Sequence, residues 1–377
     1  MGQEQQEPRR SELHARHEKL GAIFTEEQYT GRRHRGFLVP DRYGDPDAEH
    51  MAVRSGVGVF DLSHLGLMIL QGNGAAKALN AFLTNDVDRL DGPGRSQYTL
   101  ACDEQGRVFE ELVLHRFSQD AFMLLCGSPN WYDLGMAIEE TPPETVEVRV
   151  LNDTHVTLAV EGPLAARALA SIGIPVGHED MFFEIGPEAW GHPFVNRWGI
   201  SGEEAYTIII PAEDGARLWD QLVAIGVRPC GMRAREQLRI ENGRPRVAVD
   251  LVDVTANQAR LGWAVAWGKP SFAGKKALEA ERDAGPRRRL WGLELLGDRV
   301  IEPDGPAALT VRDGDREVGS VTSAGYSATL DRGLALALLE ADIGPGAELE
   351  VEVREEGEEY RVPVKVVKPP FVTPGEE

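Results

Sequence analysis

The run VFEELVL at residues 108–114 places two adjacent carboxylates inside an otherwise apolar strand, which strongly limits how this segment can be buried. Its branched and aromatic residues are typical of a buried strand. Because strand side chains alternate between the two faces of a sheet, Glu110 and Glu111 point to opposite sides, and neither side is evidently solvated. We expect one acid to be desolvated, with a partner or a raised pKa. The alternative is an edge strand with one acid in water and the other in an ion pair.

The length and composition predict a globular protein with more than one domain. A chain of 377 residues exceeds one ordinary core, and 42% hydrophobic with 27% charged residues excludes a largely disordered chain. No stretch approaches the roughly 18 continuous apolar residues of a membrane-spanning helix. The first twenty residues are polar and do not resemble a signal peptide. We therefore expect a cytoplasmic protein without a membrane partner.

The net charge argues against nucleic acid as a partner. A formal charge of -21 repels phosphate backbones and anionic membranes. The basic runs at residues 31–36 and 287–289 are short, and such runs are usually solvated faces or linker edges. No nucleic-acid site is predicted.

The cysteines and histidines do not predict a metal site or a disulfide framework. Cys102, Cys126 and Cys230 are odd in number and lack the spacing of paired metal ligands, which favours reduced intracellular thiols. The nine histidines form no HExxH pair, and His14 and His17 lie in the polar N-terminal tail. We expect no bound metal.

Two glycine-containing segments are incomplete matches to known catalytic or cofactor motifs. The segment GNGAA at residues 72–76 has Lys77 at the third glycine position of a dinucleotide fingerprint. In GISGE, residues 199–203, glycine falls one place too early for a nucleophile elbow. Neither a dinucleotide-binding domain nor a serine hydrolase is favoured.

The segment at residues 229–243 predicts a helix with two arginines one turn apart. Arg235 and Arg239 on one helical face can clamp the carboxylate of a ligand. They can also pair with Glu236 and Glu241, and pairing alone is the default interpretation.

The last ninety or so residues predict a separate β domain. Residues 272–289 are typical of a charged helix followed by a linker, and short strands with frequent turns follow. This pattern favours a β-barrel or a sandwich.

Motifs from about residue 12 to residue 373 resemble the glycine cleavage T-protein (aminomethyltransferase) superfamily. The motifs, in chain order, are MAVRSGVGVFDLSH, YT with GRVFEEL, AVEGP, NRWGISGEEAY, PCGMRAREQLRIENG, FAGKKAL, GSVTSAGYSATLDRGLALALL and VPVKVVKPPFV. The resemblance implies an α+β fold of the three-domain cloverleaf type with reduced folate at its centre. It implies a polar N-terminal extension at 1–20, two interleaved α+β domains forming the folate cavity at 21–285, and a C-terminal β-barrel domain at 286–377.

The resemblance also implies which residues form the site. Glu111 matches the second acid of the family's Asp-Asp pair, which is the catalytic one. The implied cofactor-binding positions are Tyr98, Cys126, Arg197, Trp198, Ile200, Tyr206, Thr207 and Arg235. The implied substrate positions are Tyr43, Ser63, His64 and Phe182.

Several of these positions depart from the family pattern. Thr207 stands where the family usually carries a glutamate that grips the pterin. Ile200 replaces an aromatic wall, and Cys126 replaces an asparagine. Tyr98 and Arg235 match the pattern, as does Arg197.

The resemblance implies a tetrahydrofolate-dependent one-carbon transferase with a small-molecule methyl or aminomethyl donor or a lipoyl carrier protein. The altered pterin position slightly favours a demethylase, in which a methyl group of a small molecule passes to folate. The alternative is authentic aminomethyl transfer from a lipoyl arm, with release of ammonia and formation of methylenetetrahydrofolate. A non-catalytic folate-binding protein is a further alternative, although the Lys-Gly-Cys-Tyr motif of such relatives is absent.

Overall fold

The computed structural model describes residues 7–27, 36–128, 130–140, 146–177, 179–297, 301, 309–355 and 358–374. The basic run at 31–36 therefore lies outside the described residues, apart from Gly36. The chain divides into two compact units. The first comprises Met1–Ala101, Glu110–Gly199 and Glu203–Arg235, and the second comprises Cys102–Phe109, Ile200–Gly202 and Glu236–Glu377. The domain boundaries at residues 20 and 285 remain a prediction.

Strands in the described part of the chain before residue 230 form three sheets. The strands are β1 Arg9–Arg10, β2 Ile23–Glu27, β3 Phe37–Arg42, β4 Gly58–Asp61, β5 Gly66–Gln71, β6 Ser96–Cys102, β7 Val108–Arg116, β8 Ala121–Cys126, β9 Glu147–Val150, β10 His155–Glu161, β11 Phe183–Ile185, β12 Phe194–Asn196, β13 Ala205–Pro211 and β14 Arg228–Pro229. The sheet orders are β1-β3-β2, β11-β12-β13-β10-β4-β14 and β6-β7-β8-β5-β9. The strand predicted at residues 108–114 is confirmed as β7.

Helices cover the sheets or connect their strands. They are α1 His14–Lys19, α2 Pro46–Ser55, α3 Ala75–Phe82, α4 Trp131–Glu139, α5 Ala165–Ser171, α6 Ala212–Ala224, α7 Met232–Glu241, α8 Val247–Asp250 and α9 Lys275–Ala284. Helix α2 begins after Asp45, whose side chain accepts a hydrogen bond from the Asp47 N–H, and Pro46 occupies the first turn.

The N-terminal segment is part of the core of the first unit. Leu13, just before α1, is fully buried in the same apolar cluster as Leu158 on β10 and Trp219 on α6. His17 is 1% exposed, and its ring meets that of Trp219 edge-on at 4.7 Å. The placement of His14 and His17 in a polar tail is therefore wrong, because one face of this short helix packs inward.

The end of the chain forms a closed six-stranded barrel in the order β15-β18-β17-β16-β19-β20. Its strands are β15 Arg288–Leu295, β16 Thr310–Asp313, β17 Arg316–Ser327, β18 Arg332–Glu340, β19 Glu348–Glu355 and β20 Glu358–Val367. On β20, Val362, Val364 and Val366 are buried, and the residues between them are exposed. This period of two is what one apolar face toward a barrel interior requires. The predicted α+β class and C-terminal barrel are confirmed.

Candidate active site

Tyr98 and Glu111 meet on neighbouring strands of the β6-β7-β8-β5-β9 sheet. Tyr98 lies on β6 and Glu111 on β7, and the Tyr98 hydroxyl donates a hydrogen bond of 2.6 Å to Glu111 Oε2. Tyr98 is 7% exposed, whereas Glu111 is half-buried. A short bond from a hydroxyl to a carboxylate fixes the direction in which the carboxylate points. The predicted catalytic acid is thus in contact with a predicted cofactor-binding residue.

Glu110 is fully buried and is held by hydrogen bonds from its surroundings. Its Oε1 accepts from the backbone N–H groups of Glu111 and Ser128, each at 2.9 Å, and its Oε2 accepts from the Ser128 hydroxyl at 2.7 Å. Burial raises the pKa of the Glu110 carboxyl well above its ordinary value, although the Ser128 hydrogen bond opposes this shift. Glu110 is therefore the desolvated acid. The edge-strand alternative is wrong, because β7 lies between β6 and β8.

The Glu110→Gln variant is expected to be more stable than the parent at neutral pH. Because the folded-state pKa is raised, the parent loses stability as pH increases from the unfolded-state pKa of about 4.3 to the raised folded-state value. Glutamine does not ionise, so the variant should be measurably more stable than the parent at pH 7 and should show no gain at pH 4. Chemical denaturation at both pH values measures this difference. An equal gain at pH 4 and pH 7 would contradict a titrating Glu110.

Gly127 provides an open side next to Glu111. It follows β8 directly, its N–H donates to the Glu111 carbonyl over 2.8 Å, and it is exposed. A Cβ atom at this position would lie 2.9 Å from Glu111 Cγ and 3.1 Å from its Oε1. The missing side chain therefore leaves room for the longer acid and leaves its carboxylate reachable from one side.

Trp198 forms an aromatic pair with Tyr98. The two ring centroids lie 5.8 Å apart with an angle of 36° between the ring planes. The Trp198 carbonyl accepts a hydrogen bond of 3.0 Å from Thr207 Oγ1, and Thr207 is only 3% exposed. Thr207 is thus engaged with the backbone that carries this tryptophan.

Arg235 pairs with a carboxylate that the sequence analysis did not single out. Its Nη1 lies 3.3 Å from Oε1 of Glu161, at the end of β10. Glu161 is 1% exposed and the Arg235 side chain 17%. Arg235 lies in the first turn of α7, and the Gly231 N–H just before this helix donates to buried Glu49 over 2.8 Å. The contact with Glu49 fixes the start of the helix, and the contact with Glu161 fixes the guanidinium of Arg235.

Arg197 and Tyr206 share Glu204. Arg197 Nη2 lies 3.8 Å from Glu204 Oε1, which also accepts a hydrogen bond of 3.0 Å from the Tyr206 hydroxyl. Burial and this hydrogen bond raise the pKa of Tyr206 to about 12. Tyr206 therefore stays protonated at neutral pH and serves as a hydrogen-bond donor.

Two further predicted cofactor-binding residues, Cys126 and Ile200, and the predicted substrate residue Phe182 each have surroundings of their own. Cys126 is fully buried on β8 opposite Leu112, and burial raises the pKa of its thiol. Phe182 lies beneath the guanidinium of Arg95, which is 5.4 Å from its ring centroid. Ile200 belongs to the second unit, where its carbonyl accepts a hydrogen bond of 2.8 Å from the Asn242 amide.

Two of the predicted substrate residues belong to a buried hydrogen-bond network. His17 Nδ1 lies 2.7 Å from the Tyr43 hydroxyl, and its Nε2 lies 2.9 Å from Asp61 Oδ2. The Ser63 hydroxyl donates to Asp61 Oδ1 over 2.5 Å. His64 is half-buried, with its ring 6.3 Å from that of Phe37. Tyr43 and Ser63 therefore contribute to the core of the first unit.

Sequence reasoning assigned no role in the site to Glu161, Gly127, His17 or Asp61. Glu161 had a detectable signal, since it is an acid that directly follows the apolar residues LAV at 158–160. The partners of His17 are distant in the sequence, so local periodicity could not identify them. The described residues bring together no group of three His, Cys, Asp or Glu that could hold a metal ion. The described helices also lack the length and apolar character needed to cross a bilayer.

Comparison with known families matches almost the whole chain. The family model for the GCVT N-terminal domain matches residues 13–269, and that for the glycine cleavage T-protein C-terminal barrel domain matches residues 288–373. The chain belongs to the glycine cleavage T-protein family. It is therefore an aminomethyltransferase-like enzyme, and the resemblance noted in the sequence is confirmed.

Relatives of the T-protein family are similar along their full length. An aminomethyltransferase of Mycolicibacterium paratuberculosis (strain ATCC BAA-968 / K-10) is 39% identical over 372 residues, covering 96% of each chain. One from Parafrankia sp. (strain EAN1pec) is 40% identical over 377 residues, covering 97% of this chain and 98% of the relative. The crystal structure of glycine cleavage system aminomethyltransferase T from Bartonella henselae superimposes with a TM-score of 0.87 at 28% identity, covering 97% and 98% of the two chains.

Proposed function

We propose that this T-protein family member transfers an aminomethyl group to tetrahydrofolate. The observation that carries the proposal is the Tyr98–Glu111 pair, a half-buried carboxylate aligned by a hydroxyl group and reachable beside Gly127. Relatives that match the full length and are named aminomethyltransferase support aminomethyl transfer rather than demethylation. The slight preference for a demethylase drawn from the sequence is therefore replaced by its alternative.

The residues around Glu111 suit a reduced folate. The neighbouring rings of Tyr98 and Trp198 offer aromatic surface for a flat heterocycle. Arg235 can bind a carboxylate or a polar ring edge, because a guanidinium presents several donors in one plane. When bound, tetrahydrofolate supplies the nitrogen atoms that accept the one-carbon unit.

Within this proposal, Glu111 holds or moves a proton at the reacting centre. A carboxylate beside a group that gains positive charge stabilises that charge, and it can also accept a proton from it. Tyr98 keeps Glu111 Oε2 in a fixed direction through its hydrogen bond of 2.6 Å. The carboxyl group of the buried Glu110 accepts a hydrogen bond from the Glu111 N–H and thereby holds this part of the strand in place.

Demethylation of a small molecule remains a second candidate because of Thr207. A neutral threonine that donates to the Trp198 carbonyl cannot supply the carboxylate that the family pattern has at this position. Loss of one charge-assisted hydrogen bond costs roughly 1.5 to 3 kcal/mol. An enzyme would tolerate the loss of this hydrogen bond more readily if a small-molecule methyl donor had replaced the family's aminomethyl donor.

The proposed donor is an aminomethyl group on the lipoyl arm of a carrier protein, and we place this reaction in the cytoplasm. A small-molecule aminomethyl donor is the other source compatible with the proposal. In both cases the bond between the aminomethyl carbon and its donor would break, the carbon would pass to tetrahydrofolate as methylenetetrahydrofolate, and ammonia would leave. The donor would be released without its aminomethyl group, as the dihydrolipoyl arm where it is the carrier protein.

The proposal predicts that the chain restores glycine cleavage to a bacterial strain lacking its own T-protein. The matched control is the Glu111→Gln variant, which should fail to restore it although it removes only one charge. With purified components, ammonia should be released only when tetrahydrofolate and the aminomethyl-loaded carrier are both present. Folate-dependent demethylation of a small molecule without this release would favour the second candidate. Failure of the parent chain to bind tetrahydrofolate in calorimetry would overturn both.

A further inference from the structure

Glu161 is a buried carboxylate paired with a predicted folate-binding residue. It is the last residue of strand β10 and is 1% exposed, and its Oε1 lies 3.3 Å from Arg235 Nη1. A carboxylate this deeply buried is costly to ionise unless a cation or hydrogen-bond donors compensate it. The pair with Arg235 supplies that compensation and ties the two side chains together.

Glu161 and Thr207 lie on the same face of the sheet that contains β10 and β13. The two strands are antiparallel, with Glu161 opposite Ala205 and Ala159 opposite Thr207. Because side chains two residues apart share a face, Glu161 is the diagonal neighbour of Thr207. An acid is therefore present on the face where the family pattern would place one at position 207, but it projects from the adjacent strand.

The Glu161 carboxylate has little freedom to turn away from Arg235. A Cβ atom at Gly199 would lie 3.0 Å from both Cδ and Oε2 of Glu161, so the backbone at Gly199 packs closely against the carboxylate. The small Ala205 side chain lies opposite on β13. Close backbone contact on one side and the guanidinium on the other define one orientation of the carboxylate.

We propose that Glu161 is a positioning residue that holds the Arg235 guanidinium in the orientation needed to bind folate. A guanidinium carries five N–H donors, so one can be anchored by Glu161 while others address a ligand. Anchoring before binding reduces the side-chain ordering that binding would otherwise require. This role rests on the proposed folate function. It assigns to Glu161 an effect on the affinity for folate, without direct contact with it.

The test measures tetrahydrofolate binding by calorimetry for the parent, Glu161→Gln, Arg235→Ala and the double variant. Glu161→Gln is expected to weaken binding about tenfold, and Arg235→Ala somewhat more. Because Glu161 acts through Arg235, the double variant should bind no more weakly than Arg235→Ala alone. A purely structural role would not produce this complete coupling. Additive losses in the double variant would overturn the proposal.

The matched control is Glu203→Gln. Glu203 forms a comparably buried pair with Arg54, with 2.8 Å between Glu203 Oε1 and Arg54 Nη1, and neither residue has a predicted role in the site. Folate affinity should be unchanged in this variant. A loss equal to that of Glu161→Gln would contradict the proposal, because breaking any buried pair would then suffice.

A second variant protects the test against misfolding. Glu161→Asp keeps the charge near Arg235 but withdraws the carboxylate by one methylene group, so affinity should still fall by about threefold or more while thermal denaturation stays close to that of the parent. Parent-like affinity in both Glu161 variants overturns the positioning role alone. Absence of folate binding by the parent chain instead overturns the proposed function, and this inference with it.

Discussion

Turnover is expected to fall by about a hundredfold or more in the Glu111→Gln variant, while the affinity for tetrahydrofolate changes little. Glutamine keeps the size of the side chain and can still accept the hydrogen bond from the Tyr98 hydroxyl, which measures 2.6 Å in the parent. It cannot carry the negative charge or accept a proton at ordinary pH. The loss should therefore appear in kcat, measured as ammonia release at saturating folate.

Glu110→Gln is the control for this variant. It also removes one carboxylate, and it does so on the adjacent residue of the same strand, but Glu110 is fully buried and bonded to Ser128. Turnover should remain within about threefold of the parent, because the amide oxygen of the introduced glutamine can still accept from the same N–H groups. Retained turnover in Glu111→Gln, or an equal loss in both variants, would show that catalysis does not run through Glu111.

Glu111→Asp distinguishes the two proposed reactions. It restores the acid of the family pattern and withdraws the carboxylate by one methylene group from the Tyr98 hydroxyl. An aminomethyltransferase should keep or gain activity, because its usual geometry uses the shorter acid. A demethylase that depends on the longer side chain should lose turnover.

The free energy of unfolding is expected to fall by about 3 to 5 kcal/mol in the Arg239→Met variant. Arg239 is 3% exposed and donates to Asp250 Oδ2 and to the Ser323 hydroxyl, at 2.8 and 2.7 Å, and it also pairs with Glu236. Methionine keeps much of the apolar volume but leaves the buried Asp250 without this cation. Chemical denaturation at pH 7 measures the loss.

The pH dependence provides a second measurement on the same network. Burial alone would raise the pKa of Glu236, but the charge and hydrogen bonds of Arg239, and to a smaller extent those of Arg246, lower it to about 2. This group stabilises the parent above its unfolded-state pKa of about 4.3, and the contribution is lost as pH falls toward 2. The variant should lose most but not all of this acid dependence, because Arg246 remains as a cation beside Glu236. Unchanged stability at pH 7, or the same acid profile as the parent, would contradict a structural ion pair.

The alternation of side chains in the sequence was sufficient to predict strand β7. It was not sufficient to predict which of the two adjacent acids is buried. Alternation correctly placed Glu110 and Glu111 on different sides, and their burial confirms that one of them is desolvated. This alternation alone could not identify Glu110 as the buried acid, because both faces of the strand carry apolar residues. That distinction depends on Ser128, which reaches Glu110 from beyond the next strand.

In helix α7 the local sequence likewise predicted the charged residues but not all of their partners. Helical spacing suggested pairing with nearby acids, and Arg239 does pair with Glu236. Its other acidic partner is Asp250, and Arg235 pairs with Glu161, which is 74 residues away. Contacts of this kind are set by the tertiary fold, so a single sequence could predict the arginines but not their roles.

The inward packing of helix α1 also determines when the first unit can finish folding during synthesis. Arg16 donates a hydrogen bond to Asp220 on α6, which lies 204 residues later in the chain. The neighbouring Leu13 belongs to the same apolar cluster as Trp219. This part of the core must therefore wait until the ribosome has produced α6, because contacts of high sequence separation close late. Until then Leu13 and the inward-facing His17 lack their native contacts with Trp219. The nascent chain therefore carries these N-terminal residues uncovered until residue 219 has emerged from the ribosome.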